Sequence, residues 1–131
     1  MEFGGVTQDA VAARSLEELG YTFIGQGDYL ATFTNLLELA QSTKEAKFGS
    51  FILTPYGRHP AVVAMEAARI QSVSGGRLVM CVGRGSRSAA LMGRPPIPLE
   101  ETGDFVTALR SLVSGEATRW DGRMIPRLPD A

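Results

Sequence analysis

The segment from Arg58 to Gly85 constrains the fold more than any other part of the chain. It reads Arg58-His59-Pro60, a helix-patterned stretch, Ser74-Gly75-Gly76-Arg77, the apolar run Leu78-Val79-Met80-Cys81-Val82, and then Gly83-Arg84-Gly85. Pro60 suits the first turn of a helix, where its missing N–H has no partner to lose. Val63, Ala67 and Ile70 recur at helical spacing, and Gly75-Gly76 stops the helix. The five-residue apolar run is then a strand. The order is helix, glycine stop, strand and glycine loop, with a cation placed after the strand's C-terminal end. In α/β proteins that end is where ligands bind.

The same unit recurs. Thr7 or Asp9 can cap a helix carrying Ala12, Leu16 and Leu19, which Gly20 ends. Tyr21-Thr22-Phe23-Ile24 follows as a short strand. A second helix spans Thr32 to Ser42 with Phe33, Leu36, Leu37 and Ala40 on one stripe, and Lys47 to Leu53 reads as a strand. Glu2 to Val6 is a short first strand. Strands this continuous in apolar residues predict a parallel sheet covered on both faces, and the alternation of strands with helices gives the α/β class. Gly25, Leu53 and Val82 mark strand ends spaced close to the ~31 residues per unit of a ~250-residue, eight-unit barrel. A doubly wound sheet has similar spacing, so the period alone leaves both open. Beyond Pro95-Pro96-Ile97-Pro98 a helix runs from Leu99 to Ser114, buried through Phe105, Leu109 and Leu112. Trp120-Asp121-Gly122-Arg123 is a tight turn between two short strands. The chain is expected to be a single domain over residues 1–131.

Composition narrows the function. A net charge of −1 gives no global field for nucleic acid, and no apolar run approaches the roughly 20 residues of a membrane span. With no signal-like N-terminus either, a cytoplasmic location with no membrane or nucleic-acid partner is expected. The one cysteine, Cys81, excludes an internal disulfide and a cysteine zinc cluster, and it is expected to be a buried thiol. One histidine makes a metal site unexpected. Its place before Pro60 favours capping for His59. Met65, Met80 and Met92 read as core filler. Ser86 and Ser88 have no partner base, which argues against a serine hydrolase.

Arginine is concentrated where acid is absent: Arg69, Arg77, Arg84, Arg87 and Arg94 lie between Glu66 and Glu100 with no acidic residue among them. One reading is a solvated face plus a helix-end arginine. The other is an anion site of Arg84, Arg87 and nearby amides, since the guanidinium fork matches phosphate. Gly83-Arg84-Gly85 lacks the third glycine of the dinucleotide fingerprint, which is Ser88 here, so a Rossmann NAD site has little support. Asp28, a few residues past its strand, is either a rim ligand or a turn residue.

Taken in order, several motifs resemble the bacterial-luciferase-like family, most closely its deazaflavin-dependent methylenetetrahydromethanopterin reductase branch. They are Glu17-Glu18-Leu19-Gly20-Tyr21, Asp28, Arg58-His59-Pro60-Ala61-Val62, Ser74-Gly75-Gly76-Arg77, Gly83-Arg84-Gly85, Met92-Gly93-Arg94-Pro95-Pro96 and Leu112-Val113-Ser114-Gly115-Glu116. The resemblance implies a TIM-type (β/α) barrel of which this chain supplies the N-terminal half, about four parallel strands with helices and a C-terminal hairpin. It implies coenzyme F420 or FMN at the strand C-termini, with hydride transfer between the ring and an organic small-molecule substrate. Some members also activate oxygen. The family's non-prolyl cis peptide in the third strand matches Phe51-Ile52, behind the ring. Asp28 matches the acid at the ring's polar edge, and Gly83, Arg84 and Gly85, with Arg87, border cofactor and substrate. Two positions depart: Tyr29 stands where His is usual, and Ser86 where an acid often begins the loop. No catalytic residue is assigned. Because an eight-stranded barrel needs more strands than this chain holds, either it is a piece of a longer gene or two copies pair to complete a sheet, and a homodimer or association through exposed strand edges is the expectation. The alternative is a truncated, non-catalytic half-barrel that acts as a binding or assembly module.

Overall fold

The computed structural model describes residues 1–7, 9–27 and 32–129. The elements run β1 (Gly4–Val6), α1 (Ala10–Glu18), β2 (Phe23–Gln26), α2 (Thr32–Ser42), β3 (Lys47–Leu53), α3 (Pro60–Val73), β4 (Leu78–Val82), α4 (Ser86–Leu91), α5 (Leu99–Val113), β5 (Thr118–Trp120) and β6 (Arg123–Ile125). The first four strands form one parallel sheet in the order β1-β2-β3-β4, and β5 and β6 pair as a separate antiparallel hairpin. Gly5 lies opposite Ile24 and Ile24 opposite Phe48, so the Ile24 and Phe48 side chains share one row on a single face, with the bare Gly5 backbone beside them.

The chain divides into two compact units, Met1–Leu53 with Ile70–Cys81 and Thr54–Arg69 with Val82–Ala131. In the first, α1 and α2 cover the face that carries Ile24 and Phe48. Ala13, Leu36, Leu39, Ala40, Ala46 and Ile70 complete the buried cluster, with Leu16, Phe33, Leu78 and Met80 against it. Asp9 is the N-cap of α1, its carboxylate accepting from Val11 N at 2.7 Å. Burying such a row of aliphatic and aromatic groups contributes about 1.5–3 kcal/mol for each large side chain.

The turn after α2 is held by two charged side chains. The Glu17 carboxylate accepts from the backbone N–H groups of Lys44, Glu45 and Ala46 at 2.6–3.0 Å. Arg77 donates to Thr43 Oγ1 (2.7 Å) and to the carbonyls of Ala46 (2.9 Å), Ala40 (2.8 Å), Thr43 (3.0 Å) and Ser74 (2.9 Å). Its guanidinium also sits 5.2 Å from the Phe48 ring centroid. Ala40, Thr43 and Ser74 lie at the C-terminal ends of α2 and α3, where a cation complements the unpaired carbonyls. This is the helix-end arginine of the plainer charge reading.

In the second unit, Phe105, Ala108, Leu109 and Leu112 of α5 and Ile125 of β6 are buried. Phe105 and Trp120 pack edge to face with centroids 5.6 Å apart. Asp121 and Gly122 take φ of 50° and 70°, the two left-handed positions of the expected hairpin turn.

Four expectations need correction. The strand expected at Tyr21–Ile24 runs Phe23–Gln26 instead, because Tyr21 N donates to Leu16 O and so belongs to the turn that closes α1. β4 is not covered on both sides: all five of its residues are half-buried, Cys81 included, because it lies at an edge of the sheet. Met92 is 38% exposed rather than core filler. The residues after Gly85, read as a loop, form the short helix α4. Among the described residues no helix is long and apolar enough to cross a membrane.

Burial pushes the Glu17 carboxyl up, but the three backbone N–H donors and the nearby Arg77 charge outweigh it, and its pKa lies below the ordinary carboxylate value. A lowered folded-state pKa gives stability that is present above the unfolded value and lost as pH falls through the folded one. Glu17→Gln should therefore cost about 1 kcal/mol at neutral pH. The gap between variant and parent should close as both are unfolded by urea at successively lower pH below about 4.

Candidate functional site

β3 and β4 are neighbours running the same way, so their C-terminal ends fall on one edge of the sheet. β3 ends in an apolar layer at Leu53, and the chain leaves it through Thr54 and Pro55, both buried. Arg58 donates from Nη1 to Thr54 O at 2.9 Å, and its N–H closes a turn onto Pro55 O at 3.0 Å. His59 Nδ1 accepts from Ala61 N at 3.2 Å, which is the capping role expected of it at the start of α3.

The loop after β4 meets this exit directly. Gly85 has φ of 67° and is the N-cap of α4. A Cβ placed on it would stand 2.5 Å from Thr54 Cβ and closer still to Thr54 Oγ1. Both the backbone conformation and the space require glycine here. Arg84 fixes the other side: its Nε donates to Ile97 O at 2.6 Å, while Ile97 N donates to Arg84 O at 3.2 Å. Ile97 is buried, so the Pro95–Pro98 stretch is tied to the glycine loop rather than hanging from it. Tyr56 Oη donates to Pro95 O, and the Arg94 guanidinium lies 5.9 Å from the Tyr56 ring.

The first unit holds the other expected residues. The Phe51–Ile52 peptide of β3 is cis, at the step the resemblance implied. Phe51 is 56% exposed, on the face of the sheet away from α1 and α2. Next to it lies Gly25, where an added Cβ would stand 3.4 Å from Phe51 Cβ and from Val6 Cγ2 and 3.5 Å from Phe23 Cε1. Gly25 is itself buried beneath these side chains, and the apolar surface they present is that of Phe51 and Val6. At the C-terminal end of β2, Gln26 is fully buried, and its Oε1 has no hydrogen-bond partner among the described residues. Its Nε2 donates to Gly27 O. An unmet buried acceptor is costly, by about 1–3 kcal/mol.

Of the residues named from the sequence, then, Phe51 and Ile52 lie in β3, and Gly83, Arg84, Gly85 and Arg87 lie in and after the β4 loop, with Arg87 exposed on α4. Asp28 lies outside the described residues. Arg84 differs from expectation in one respect, since its Nε is engaged by Ile97 O. Sequence reasoning passed over Gln26. The signal was there: a lone amide inside an apolar strand, at the end where ligands sit. No group of three or more His, Cys, Asp or Glu among the described residues could hold a metal ion.

Four parallel strands with α1 and α2 on one face and glycine loops at strand C-termini give an α/β fold whose structural neighbours are TIM-barrel luciferase-like folds. The sequence profile of the luciferase-like monooxygenase family matches residues 7–131, and the chain belongs to that family. It is 30% identical over 95 residues to a 5,10-methylenetetrahydromethanopterin reductase of Methanolobus tindarius, an alignment covering 71% of this chain and 29% of the relative. Among solved structures it is similar to the coenzyme F420-dependent tetrahydromethanopterin reductase of Methanopyrus kandleri. There the TM-score is 0.68 at 20% identity, covering 86% of this chain and 39% of that one. It is also similar to the FMN complex of a type II Baeyer–Villiger monooxygenase of Pseudomonas putida, the oxygenating constituent of 3,6-diketocamphane monooxygenase. That TM-score is 0.79 at 13% identity, covering 98% of this chain and 44% of that one. The chain thus spans less than half the length of each of these proteins, and the partial coverage fits the N-terminal half of such a barrel.

The Gly85–Thr54 contact yields a direct check. Gly85→Ala should cost about 2–4 kcal/mol, from the left-handed backbone plus overpacking against Thr54. Gly93→Ala has φ of 66° but nothing within 4 Å of the added Cβ, and should cost about 1 kcal/mol. Urea unfolding of the two variants separates the contributions.

Proposed function

We propose that this chain is a flavin- or deazaflavin-binding oxidoreductase domain, acting by hydride transfer between coenzyme F420 or FMN and an organic small molecule. The observation that carries this reading is the family match over residues 7–131, and the curated and structural relatives named above point to the same cofactor class. When bound, the ring supplies the hydride chemistry. The chain's own part is to bind and orient it. The patch of Gly25, Phe23, Phe51 and Val6 fits one apolar face of a flat ring, with Phe51-Ile52 behind it. Gln26 Oε1 is an acceptor for an N–H on the ring's polar edge, and Asp28, two residues on, is assigned to the same edge. Gly83, Arg84, Gly85 and Arg87 are assigned to substrate or phosphate, the arginines as cations and the glycines through their backbone amides. In this reading the protein is a single cytoplasmic domain that works as a homodimer.

A second reading, a non-catalytic half-barrel used for binding or assembly, draws on two departures from the family pattern, Tyr29 where His is usual and Ser86 where an acid often begins the loop. Titration separates the two. Ring fluorescence of FMN or coenzyme F420 should change with a micromolar midpoint on adding the chain, and Phe51→Ala should weaken binding at least about tenfold, or about 1.4 kcal/mol. No change up to about 1 mM of chain would favour the assembly module.

A further inference from the structure

Within the second unit, residues 54–58 and 92–98 are tied together at several points. Tyr56, half-buried, donates from Oη to Pro95 O. The Arg94 guanidinium lies 5.9 Å from the centroid of the same ring. A Cβ on Gly57 would stand 3.4 Å from Met92 Cε, so the methionine lies along the bare backbone beside Tyr56. Sequence reasoning assigned Tyr56 no role. The stretch that carries Pro95 is stiff. Pro95, Pro96 and Pro98 are prolines, each with φ held at about −65°. Between them Ile97 is 1% exposed and exchanges two hydrogen bonds with Arg84. Arg84 Nε donates to Ile97 O at 2.6 Å, and Ile97 N donates to Arg84 O at 3.2 Å. A proline-rich segment passes a displacement along instead of absorbing it in its own torsions. Pro95 and Ile97 are two residues apart, so whatever fixes the Pro95 carbonyl also fixes the acceptor of Arg84 Nε. With Nε spent on that acceptor, the two terminal nitrogens of the fork carry its charge to a ligand.

We propose that Tyr56 is a positioning residue: through the Pro95–Pro98 stretch its hydroxyl sets where the Arg84 guanidinium stands, and so how well Arg84 holds an anion. Tyr56 acts through Pro95 and Ile97 and needs no contact with the ligand. The inference rests on the assignment of Arg84 to substrate or phosphate above, and adds the residue that holds it there. The ring and the hydroxyl have separate work. The ring faces Arg94, whereas the hydroxyl alone reaches Pro95 O. Tyr56→Phe therefore releases the latch and keeps the ring.

The Arg84 Nε–H resonance of the labelled chain reads the latch directly. In Tyr56→Phe its exchange with water should quicken at least about tenfold, because its bond to Ile97 O opens more often. The Arg77 Nε–H, which donates to Ser74 O, should keep its rate, whereas a loss of folding would move both. Inorganic phosphate is the ligand probe. Its dissociation constant, followed at the Arg84 side chain, should rise about fivefold in Tyr56→Phe, the worth of one hydrogen bond. A tyrosine that only packed would move neither reading, since its ring is kept. Pro96→Gly keeps both anchors and softens the segment between them, and it should move both readings in the same direction. An Arg84 Nε–H or a phosphate constant unchanged in Tyr56→Phe, a Pro96→Gly chain that behaves as the parent, or a parent whose Arg84 does not respond to phosphate would overturn the proposal. The cofactor reading is judged apart. FMN fluorescence that responds to the parent, with Tyr56→Phe the same as the parent at Arg84, sinks the positioning and leaves the proposed function standing. Fluorescence that does not respond, with Arg84 released and phosphate weakened by Tyr56→Phe, does the reverse.

Discussion

At Gly49 the β3 backbone runs so close to β4 that no side chain fits between them. A Cβ there would overlap the Val79 carbonyl oxygen and stand 2.8 Å from its carbon. Glycine inside a strand usually weakens it, and where it is kept the cause is often a close backbone approach of this kind. Much follows from that approach. Ser50, the next residue, donates from Oγ to Cys81 O at 3.0 Å and accepts from Cys81 N at 3.2 Å, so a side chain reinforces the joint between the two strands. Within the second unit, Thr54 stands against Gly85, where an added Cβ would overlap the threonine side chain. Each unit thus has one glycine that a close approach requires, Gly49 against the Val79 backbone and Gly85 against the Thr54 side chain.

The polar framework at the opposite ends of the strands is equally specific. Glu17 satisfies three successive N–H groups, and Arg77 satisfies carbonyls of two helix ends and a turn. Each would be an expensive group to desolvate alone. Here each meets the unpaired backbone groups that a helix terminus or turn leaves over. The motifs Glu17-Glu18-Leu19-Gly20 and Ser74-Gly75-Gly76-Arg77 are thus explained by folding and not by chemistry on a ligand.

Local signals carried most of the sequence reading. Asp9, Pro60, Gly75-Gly76 and Asp121-Gly122 each act within a few residues of themselves, and each appears in the role its chemistry predicted. The parallel α/β class followed from the alternation of elements, and the structure shows it. What was not legible depended on neighbours distant in sequence. β2 runs two residues later than expected because Tyr21 is drawn into the close of α1. The apolar pattern of β4 promised burial on both faces, but a pattern does not say whether a covering layer exists within the chain, and Cys81 is half-buried. The engagement of Arg84 with Ile97, thirteen residues on, and the unmet Oε1 of Gln26 are likewise tertiary facts.

These observations converge on a division of labour. Hydrophobic burial and the Glu17–Arg77 framework hold the sheet of the first unit, Gly49 marks the close approach of β3 and β4, and the strand C-termini carry groups proposed for the ring. The most direct test is an amide chemical-shift titration of the labelled chain with FMN or coenzyme F420. The account predicts that perturbed resonances cluster at the C-terminal ends of β2, β3 and β4, with Gln26, Thr54 and Gly83 among them, while the β5–β6 hairpin stays unmoved. Shifts centred on the hairpin or on α1 and α2, or none at about 1 mM ligand, would contradict it.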